Sequence, residues 1–584
     1  MTCRLGRGAD SICPTLRVRF AGANVSCGRG RVAGMDDEVS RRALLRGALG
    51  AGAAGFGAMG LGAVGLGAGS ALAQPLSAPP QTLTLRTTVV GIGSYAQLPF
   101  TVPPGVHRID VAMTKSDSAA ALGVGLFDAH GAGYQSGGFR GIYGEERSSF
   151  FVSTSAASTA FMPGDMPAGT WTVLIPVFRA PKPTEVTVQV RMSFAPQGGP
   201  FRAGREPGVV LDEPGWYRGD LHCHTDASSD AWSSGSSMTP AGWAGACRQA
   251  GLDFVAMTDH NVVSQNYFLA RDAGEDVLLM PGEEMTNWFH GHATVSGMDV
   301  GAWLDFRQTP LGLPLPTGGA RISEFITLAE SMGAYVSAAH PFAAHLSWQF
   351  ATDGEADPRS RTHGHEVWTG PWQADDELSL AAWEAMLVKG WRTVANGGSD
   401  LHGVVNSGGF AVGKPTTVVY AQRLSKPAII SALKAGRCFI TRTPDGVELY
   451  LSAGRAGQQA AVGGEVYGDV GDLVIVTARV RRGAGMRLVF VSGGAPISTT
   501  TLDSDDQTVE VTVPVPVGGG YVRAEVRGQS RPNPTNPAAS EGDMEAISNP
   551  VFLVVGAAPS DYVARSTPIP TLVGPSRRDS SREQ

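Results

Sequence analysis

Between Gly215 and Gly446 short apolar runs alternate with amphipathic stretches, and the residues that close those runs are histidines and acids. Leu252-Asp-Phe-Val-Ala-Met257, Val277-Leu-Leu-Met280, Ala334-Tyr-Val-Ser-Ala-Ala339 and Trp391-Arg-Thr-Val-Ala395 read as buried strands. Helices are expected over Ile322–Met332, Glu377–Lys389 and Lys426–Ala435. Thr239-Pro240 reads as the N-cap and first-turn proline of another, which Gly251 closes. Buried strands alternating with helices predict an α/β core, a parallel barrel or wound sheet, with its active site at the C-terminal ends of the strands.

The flanks have a different grammar. From Gln74 to about Pro214, runs such as Leu83–Val90, His107–Met113, Gly169–Phe178 and Glu185–Met192 are β-branched or alternating, with Gly, Pro and Ser between them. Leu473–Val480, Arg487–Val491, Val509–Val513 and Tyr521–Val526 repeat that grammar after Val447. We therefore expect a β-sandwich over 74–213, the α/β domain over 214–446, a second β-sandwich over 447–556 and a disordered tail over 557–584. A net charge of −7 over 584 residues leaves no basic footprint, so nucleic acid is not an expected partner. Six cysteines with no C-x-x-C pair exclude a zinc knuckle and a disulfide scaffold.

Ser40-Arg41-Arg42-Ala43-Leu44-Leu45-Arg46 precedes a Gly-, Ala- and Leu-rich stretch that carries no charge until Arg86 and includes Ala71-Leu72-Ala73-Gln74. Paired arginines, a mildly apolar run and an A-x-A site are the parts of a secretory signal, and the segment 35–73 resembles a twin-arginine signal peptide. Its frequent glycines make a poor lipid-spanning helix, so no stable membrane anchor is expected after cleavage, and the expected location is periplasmic or secreted. Residues 1–34 are read as a mis-assigned start ahead of Met35, or as disordered.

The strand-end residues form a series: Asp220-Leu-His222-Cys-His224-Thr225, Thr258-Asp-His260, Pro281-Gly-Glu-Glu284, Gly291-His292, Ala339-His340-Pro341 and Gly398-Ser-Asp400-Leu-His402. His222 and His224, two apart, share one strand face and can share an ion. Imidazole and carboxylate without thiolate suit Zn, Mn or Fe. Adjacent divalent ions lower the pKa of a shared water and neutralise charge developing on a substrate. Cys223 between the two histidines faces the other way and reads as a small buried residue.

This series resembles the polymerase-and-histidinol-phosphatase (PHP) superfamily, and Glu366-Val-Trp-Thr-Gly-Pro-Trp372 with Gly397-Gly-Ser-Asp400 resembles its carbaryl-hydrolase-like branch. The resemblance covers about residues 215–445. It implies a distorted (β/α)7 barrel and two or three divalent metal ions. It makes His222, His224, Glu284 and Asp400 ligands of one ion, with Glu284 bridging to a second completed by His292 and His340. Asp230, His260 and His402 would hold a third. In the family that third acid stands five or six residues past the second histidine; position 229 here is Ser, which leaves Asp230 with Asp226 as the competing candidate. Glu284 and His402, together with His290 beside the substrate, are the expected catalytic residues.

The expected function is that of an exported metal-dependent phosphoesterase acting on a small-molecule ester through a metal-bridging hydroxide. A carbamate or carboxylic ester hydrolase with the same centre is the alternative, and the ligands do not separate the two. A basic residue near the pocket, Arg321 or Arg392, would favour phosphate. A secreted binding protein with a structural metal is a third reading, disfavoured because a structural site is closed by four ligands around one ion. The mature chain should begin at or near Gln74; N-terminal sequencing of exported material checks this, and a start that keeps Arg41 and Arg42 would refute cleavage.

Overall fold

In the computed structural model the histidines and acids gather on one long mixed sheet and in the turns that leave its strands. The structure describes residues 78–560 and 562, apart from 197, 288–289, 308–318, 344–345, 351–357, 405–408 and 533–539. The expected signal at 35–73, the residues before it and residues 563–584 of the expected tail lie outside the described residues. Among the described residues no helix is long and apolar enough to cross a membrane.

Three strands, β1 (Gly215–Cys223), β2 (Phe254–Met257) and β3 (Leu278–Asn287), run parallel side by side. Next come β4 (Gly291–Ser296), antiparallel to β3, and β5 (Tyr335–Ala339), antiparallel to β4; then β6 (Gly364–Thr369) and β7 (Val394–Gly398) follow in parallel. On the other side of β1 lie β8 (Thr416–Ala421) and β9 (Cys438–Thr441), both pairing antiparallel. Beyond β9 the same 15-stranded sheet continues through Met544–Ser548, Gly520–Arg527 and Arg487–Ser492 to Ala495–Thr501.

The expected (β/α)7 barrel is therefore corrected: the chain is mostly β, with five α-helices among the described residues, and its strands do not alternate regularly with helices. The physical reason is visible at β3 and β4. Pro281–Asn287, which read as loop after a short strand, continues the strand, and only three residues separate Asn287 from Gly291. So short a connection makes a hairpin, whereas a parallel crossover needs a dozen residues or more. Helix Pro240–Ala250 forms as its sequence directs: Thr239 accepts from Gly242 N–H at 3.1 Å, and Gly251 ends it at φ 80°.

Before β1 lies an eight-stranded sheet organised around Gly169–Ser193, which pairs antiparallel with Gln81–Gly91, Ser94–Val102 and Arg108–Lys115. This sheet shares a hydrophobic core with the central region, Val124, Phe127 and Trp171 joining Met285, Val295 and Phe325. Phe139 stacks on Trp303 at 3.8 Å, and buried Arg307 donates to Ala132 O at 3.1 Å and Gly133 O at 3.0 Å.

The outer edge of β7 is met by side chains. Asn549 donates to Ala395 O and accepts from Ala395 N–H, both at 2.8 Å, and Thr417 Oγ1 does the same for Gly397 at 2.8 and 3.0 Å. Ser399 N–H donates to Asp220 at 2.9 Å, and Asp400 N–H to His222 O at 2.8 Å, so the turn after β7 is fastened to β1.

Because one core serves both sheets, Phe139→Ala should cost about 3–5 kcal/mol, the range for emptying a buried aromatic site. Chemical denaturation followed by two probes should show a single transition at a lower midpoint; loss of the N-terminal sheet alone would contradict the shared core.

Candidate metal centre

Strand geometry brings the acids and imidazoles together. In the β3–β4 hairpin Thr286 pairs with His292, so Glu284, two residues before Thr286, shares a face with His292. His292 pairs in turn with Ala339, and His340 follows at once. His222 closes β1, while His224, Asp400 and His402 lie in the turns beyond β1 and β7. Cys223 turns away, its Sγ on Ala256 O at 3.2 Å and its side chain in a separate apolar cluster with Trp243 and Met257.

Glu284 is the centre. Its Oε1 lies 2.9 Å from His292 Nδ1 and 3.1 Å from His340 Nε2. Its Oε2 lies 2.8 Å from His260 Nδ1, 3.4 Å from His222 Nε2 and 3.5 Å from His224 Nε2. Asp400 Oδ1 stands 3.0 Å from His224 Nε2 and 3.3 Å from His222 Nε2. Asp230 Oδ2 lies 3.1 Å from both His260 Nε2 and His402 Nε2. A tetrahedral ion at about 2.0–2.1 Å from each ligand separates its ligands by about 3.3 Å. The distances among His222, His224, Glu284 and Asp400 bracket that value.

Further contacts orient the ligands. His222 Nδ1 faces Glu366 at 3.1 Å, which leaves Nε2 toward the centre. Ser228 Oγ donates to Asp259 at 2.9 Å, so His224 Nδ1, also 2.9 Å away, serves as donor to it and Nε2 is freed. Glu366 also accepts from His340 N–H at 2.7 Å. His340 and Asp400 have positive φ, 25° and 50°, a conformation costly for residues with a Cβ and frequent at functional sites. Sequence reasoning gave Glu366 and Asp259 no role beyond their place in motifs; the signal was there, an acid at a strand end like those of the ligands.

The electrostatics suit cations. Burial works to raise Glu284, Asp400 and Asp230, but the imidazoles around them hold all three below the usual carboxylate range. Burial and the neighbouring His402 and His260 push His224 down to about 3, and burial pushes His292 down to about 4. Burial would also lower His222 and His260, yet Glu366, Asp400 and Glu284 hold the first well above its ordinary value, and Asp230 and Glu284 the second. His222 Nε2, His292 Nε2 and His340 Nδ1 are buried without a hydrogen bond among the described residues. Three ionised carboxylates and buried imidazole nitrogens in search of a partner fit divalent ions well.

Among the described residues the groups His222–His224–Glu284–Asp400, His260–Glu284–His292 and His224–His260–His402 are each close enough to hold an ion. The other two expected ligands stand beside these groups, His340 against Glu284 and Asp230 against His260 and His402. Asp226 lies elsewhere, lining a crevice of ≈ 460 Å³ with Ser158, Thr239 and Gln265. His290 sits in the β3–β4 turn, its Nδ1 3.1 Å from Asn287 and its ring against Phe350, outside the three groups. Arg392 pairs with Glu465 at 3.0 Å and lies over Phe552, away from the cluster. His345 and the Arg321 side chain fall outside the described residues.

No family model matches this chain, and no curated protein matches it. Among solved structures, an amidohydrolase from Chromobacterium violaceum with bound sulfate and no metal is 17% identical over 32% of this chain and 87% of its own, at a TM-score of 0.23. A capsid asymmetric unit of cyanophage Pam1 is 13% identical over 22% of this chain and 95% of that one, at 0.15. A β-glucuronidase from Bacteroides uniformis covers 82% of this chain and 62% of its own at 10% identity and 0.15. Likenesses this slight define neither fold nor activity.

Purified, metal-replete protein should carry about two to three Zn, Mn or Fe ions per chain. Imidazoles ligate only when neutral. In the metal-free protein the acids around His222 and His260 hold both protonated above the ordinary histidine range, so uptake should already weaken as pH falls toward that range from above. Elemental analysis after dialysis at several pH values checks both; one ion or fewer at neutral pH would refute a multinuclear centre.

Proposed function

We propose that this chain is a metal-dependent hydrolase with a centre of the polymerase-and-histidinol-phosphatase kind, that it cleaves phosphoesters, and that it acts outside the cytoplasm. The observation that carries the reading is the division of Glu284, one oxygen toward His292 and His340 and the other toward His222, His224 and His260. A carboxylate so divided could serve two cation positions, with His292 and His340 on one side and His222, His224 and His260 on the other. Divalent ions held there would supply Lewis acidity and lower the pKa of water.

The chain's own residues set the direction of approach. The side chains of His222, His224 and Glu284 are fully buried and those of His292 and His340 are 4% exposed, whereas His260 is 20%, Asp400 21%, His402 27% and Asp230 38% exposed. Substrate therefore enters at the Asp230–His260–His402 corner, and Glu284 lies behind it as the fixed base of the site. A phosphoryl group brings several anionic oxygens, which neighbouring cations neutralise without a helper arginine; with Arg392 turned elsewhere, this is the charge compensation the reading relies on. The twin-arginine segment supports export.

Two assays on one metal-loaded preparation test the reaction: phosphate release from an aryl phosphate and cleavage of an aryl carbamate. Carbamate cleavage without phosphate release would overturn the phosphoester assignment and leave the hydrolase one standing. Glu284→Gln should lower the rate by about 10²-fold or more and reduce metal content. Glu283→Gln is the control: its side chain faces Leu304 N–H at 2.9 Å, and burial raises its carboxyl well above the ordinary range, so an amide replaces a neutral acid. Equal losses in the two variants would show that Glu284 is not the bridging residue.

A further inference from the structure

Asp230 is the ligand candidate that the central sheet holds least. The others stand on a strand or in the turn just beyond one; Asp230 lies seven residues past the end of β1, opening the short helix Asp230–Ser234. Its loop is pinned from two sides. On the inner side Asp259 accepts from the backbone N–H groups of Thr225 and Ser228 at 2.7 and 3.1 Å and from their hydroxyls at 2.8 and 2.9 Å, which fixes residues 225–228.

On the outer side the contacts come from the N-terminal sheet. Ser229 stands at the N-cap of the short helix but makes no capping bond. Its hydroxyl instead donates to Glu146 Oε2 at 2.8 Å and accepts from Gly144 N–H at 3.0 Å. Gly144 permits that approach, since a Cβ there would lie 3.0 Å from Ser229 Oγ and 2.5 Å from Glu146 Oε2. Two residues past Asp230, Trp232 packs edge-on against Tyr143 at 5.1 Å, with the Arg147 guanidinium over its indole and its Nε1 donating to Asp226 O at 2.9 Å. Residues on both sides of Asp230 are thus held by the turn that follows strand Phe139–Tyr143.

We propose that the N-terminal sheet is a working part of the metal centre: Tyr143, Gly144 and Glu146, acting through Ser229 and Trp232, position Asp230 and set the affinity of the ion held by Asp230, His260 and His402. The proposal rests on the metal-hydrolase reading above. It gives the sheet a function beyond packing, since the corner it braces is the one through which substrate enters.

The test is metal binding to the full-length apo-protein, measured by competition with a chromophoric chelator, with Zn and separately Mn as probes. Asp230→Asn identifies the ion at that corner. Ser229→Ala and Glu146→Ala should each weaken that ion by about 10-fold and leave the remaining ions and the melting temperature at wild-type values. Ser229→Thr, which keeps the hydroxyl, should bind as wild type. Wild-type affinity in both alanine variants, beside a clear loss in Asp230→Asn, would overturn the bracing role alone. Uniform weakening of every ion with a lowered melting temperature would also overturn it, because the contacts would then serve general stability. If Asp230→Asn releases no ion from the wild-type complement, the metal reading of this corner falls and the proposal falls with it.

Discussion

Glu284 is fully buried and ionised among five imidazoles, and much of the central region is arranged around that fact. An ionised carboxylate removed from water costs several kcal/mol unless opposite charge and hydrogen-bond donors replace its hydration. Oε1 of Glu284 is met by His292 and His340, while Oε2 lies within 3.5 Å of His222, His224 and His260 but takes no hydrogen bond among the described residues. The five imidazoles come from four stretches of chain. The β3–β4 hairpin follows from this demand: it places Glu284 and His292 on adjacent strands of one face, which a crossover helix would have separated.

Acids behind the imidazoles keep them usable. Glu366 and the Asp259–Ser228 pair each occupy the Nδ1 side of a histidine, so that Nε2 turns inward. Asp220 ties the turns after β1 and β7 by accepting from Ser399 N–H and His222 N–H. Positive φ at His340 and Asp400 costs on the order of 1–3 kcal/mol each, and the hydrogen bonds from His340 N–H to Glu366 and from Asp400 N–H to His222 O hold the two in place. The buried side of the site is thus held by hydrogen bonds within the central sheet, whereas the Asp230 loop is held partly from outside it.

Most ligand candidates could be named from the sequence because they stand near a strand end, and the spacing of two between His222 and His224 is geometric. Asp230, seven residues past β1, rested on the family resemblance alone, and Glu284 lies inside a strand that read as ending before it. Helix Pro240–Ala250 was legible from a capping threonine before a proline and a glycine after. The barrel was misread because a buried apolar strand looks alike in parallel and antiparallel sheets. Pro281-Gly282 looked like a turn, yet Gly282 N–H and C=O are taken by Asn266, which lets the strand continue through it. Long-range partners of this kind, Glu366 for His222 or Glu146 for Ser229, leave no mark at a fixed spacing.

The edge of β7 has a consequence of a different sort. A sheet's last strand offers a row of backbone donors and acceptors to any passing chain, the usual seed of edge-to-edge aggregation. Here residues 395, 397 and 399 are engaged in turn by Asn549, Thr417 and Asp220. Two of the three stand on β8 and β1, strands of the same sheet, so this edge turns back against the sheet's own middle and is met there by side chains. One of the three, Asn549, is also the residue that follows strand Met544–Ser548. The C-terminal region therefore shares in closing the edge that leads into the turn of Asp400 and His402, and removing Asn549 would leave the N–H and C=O of Ala395 without these side-chain partners.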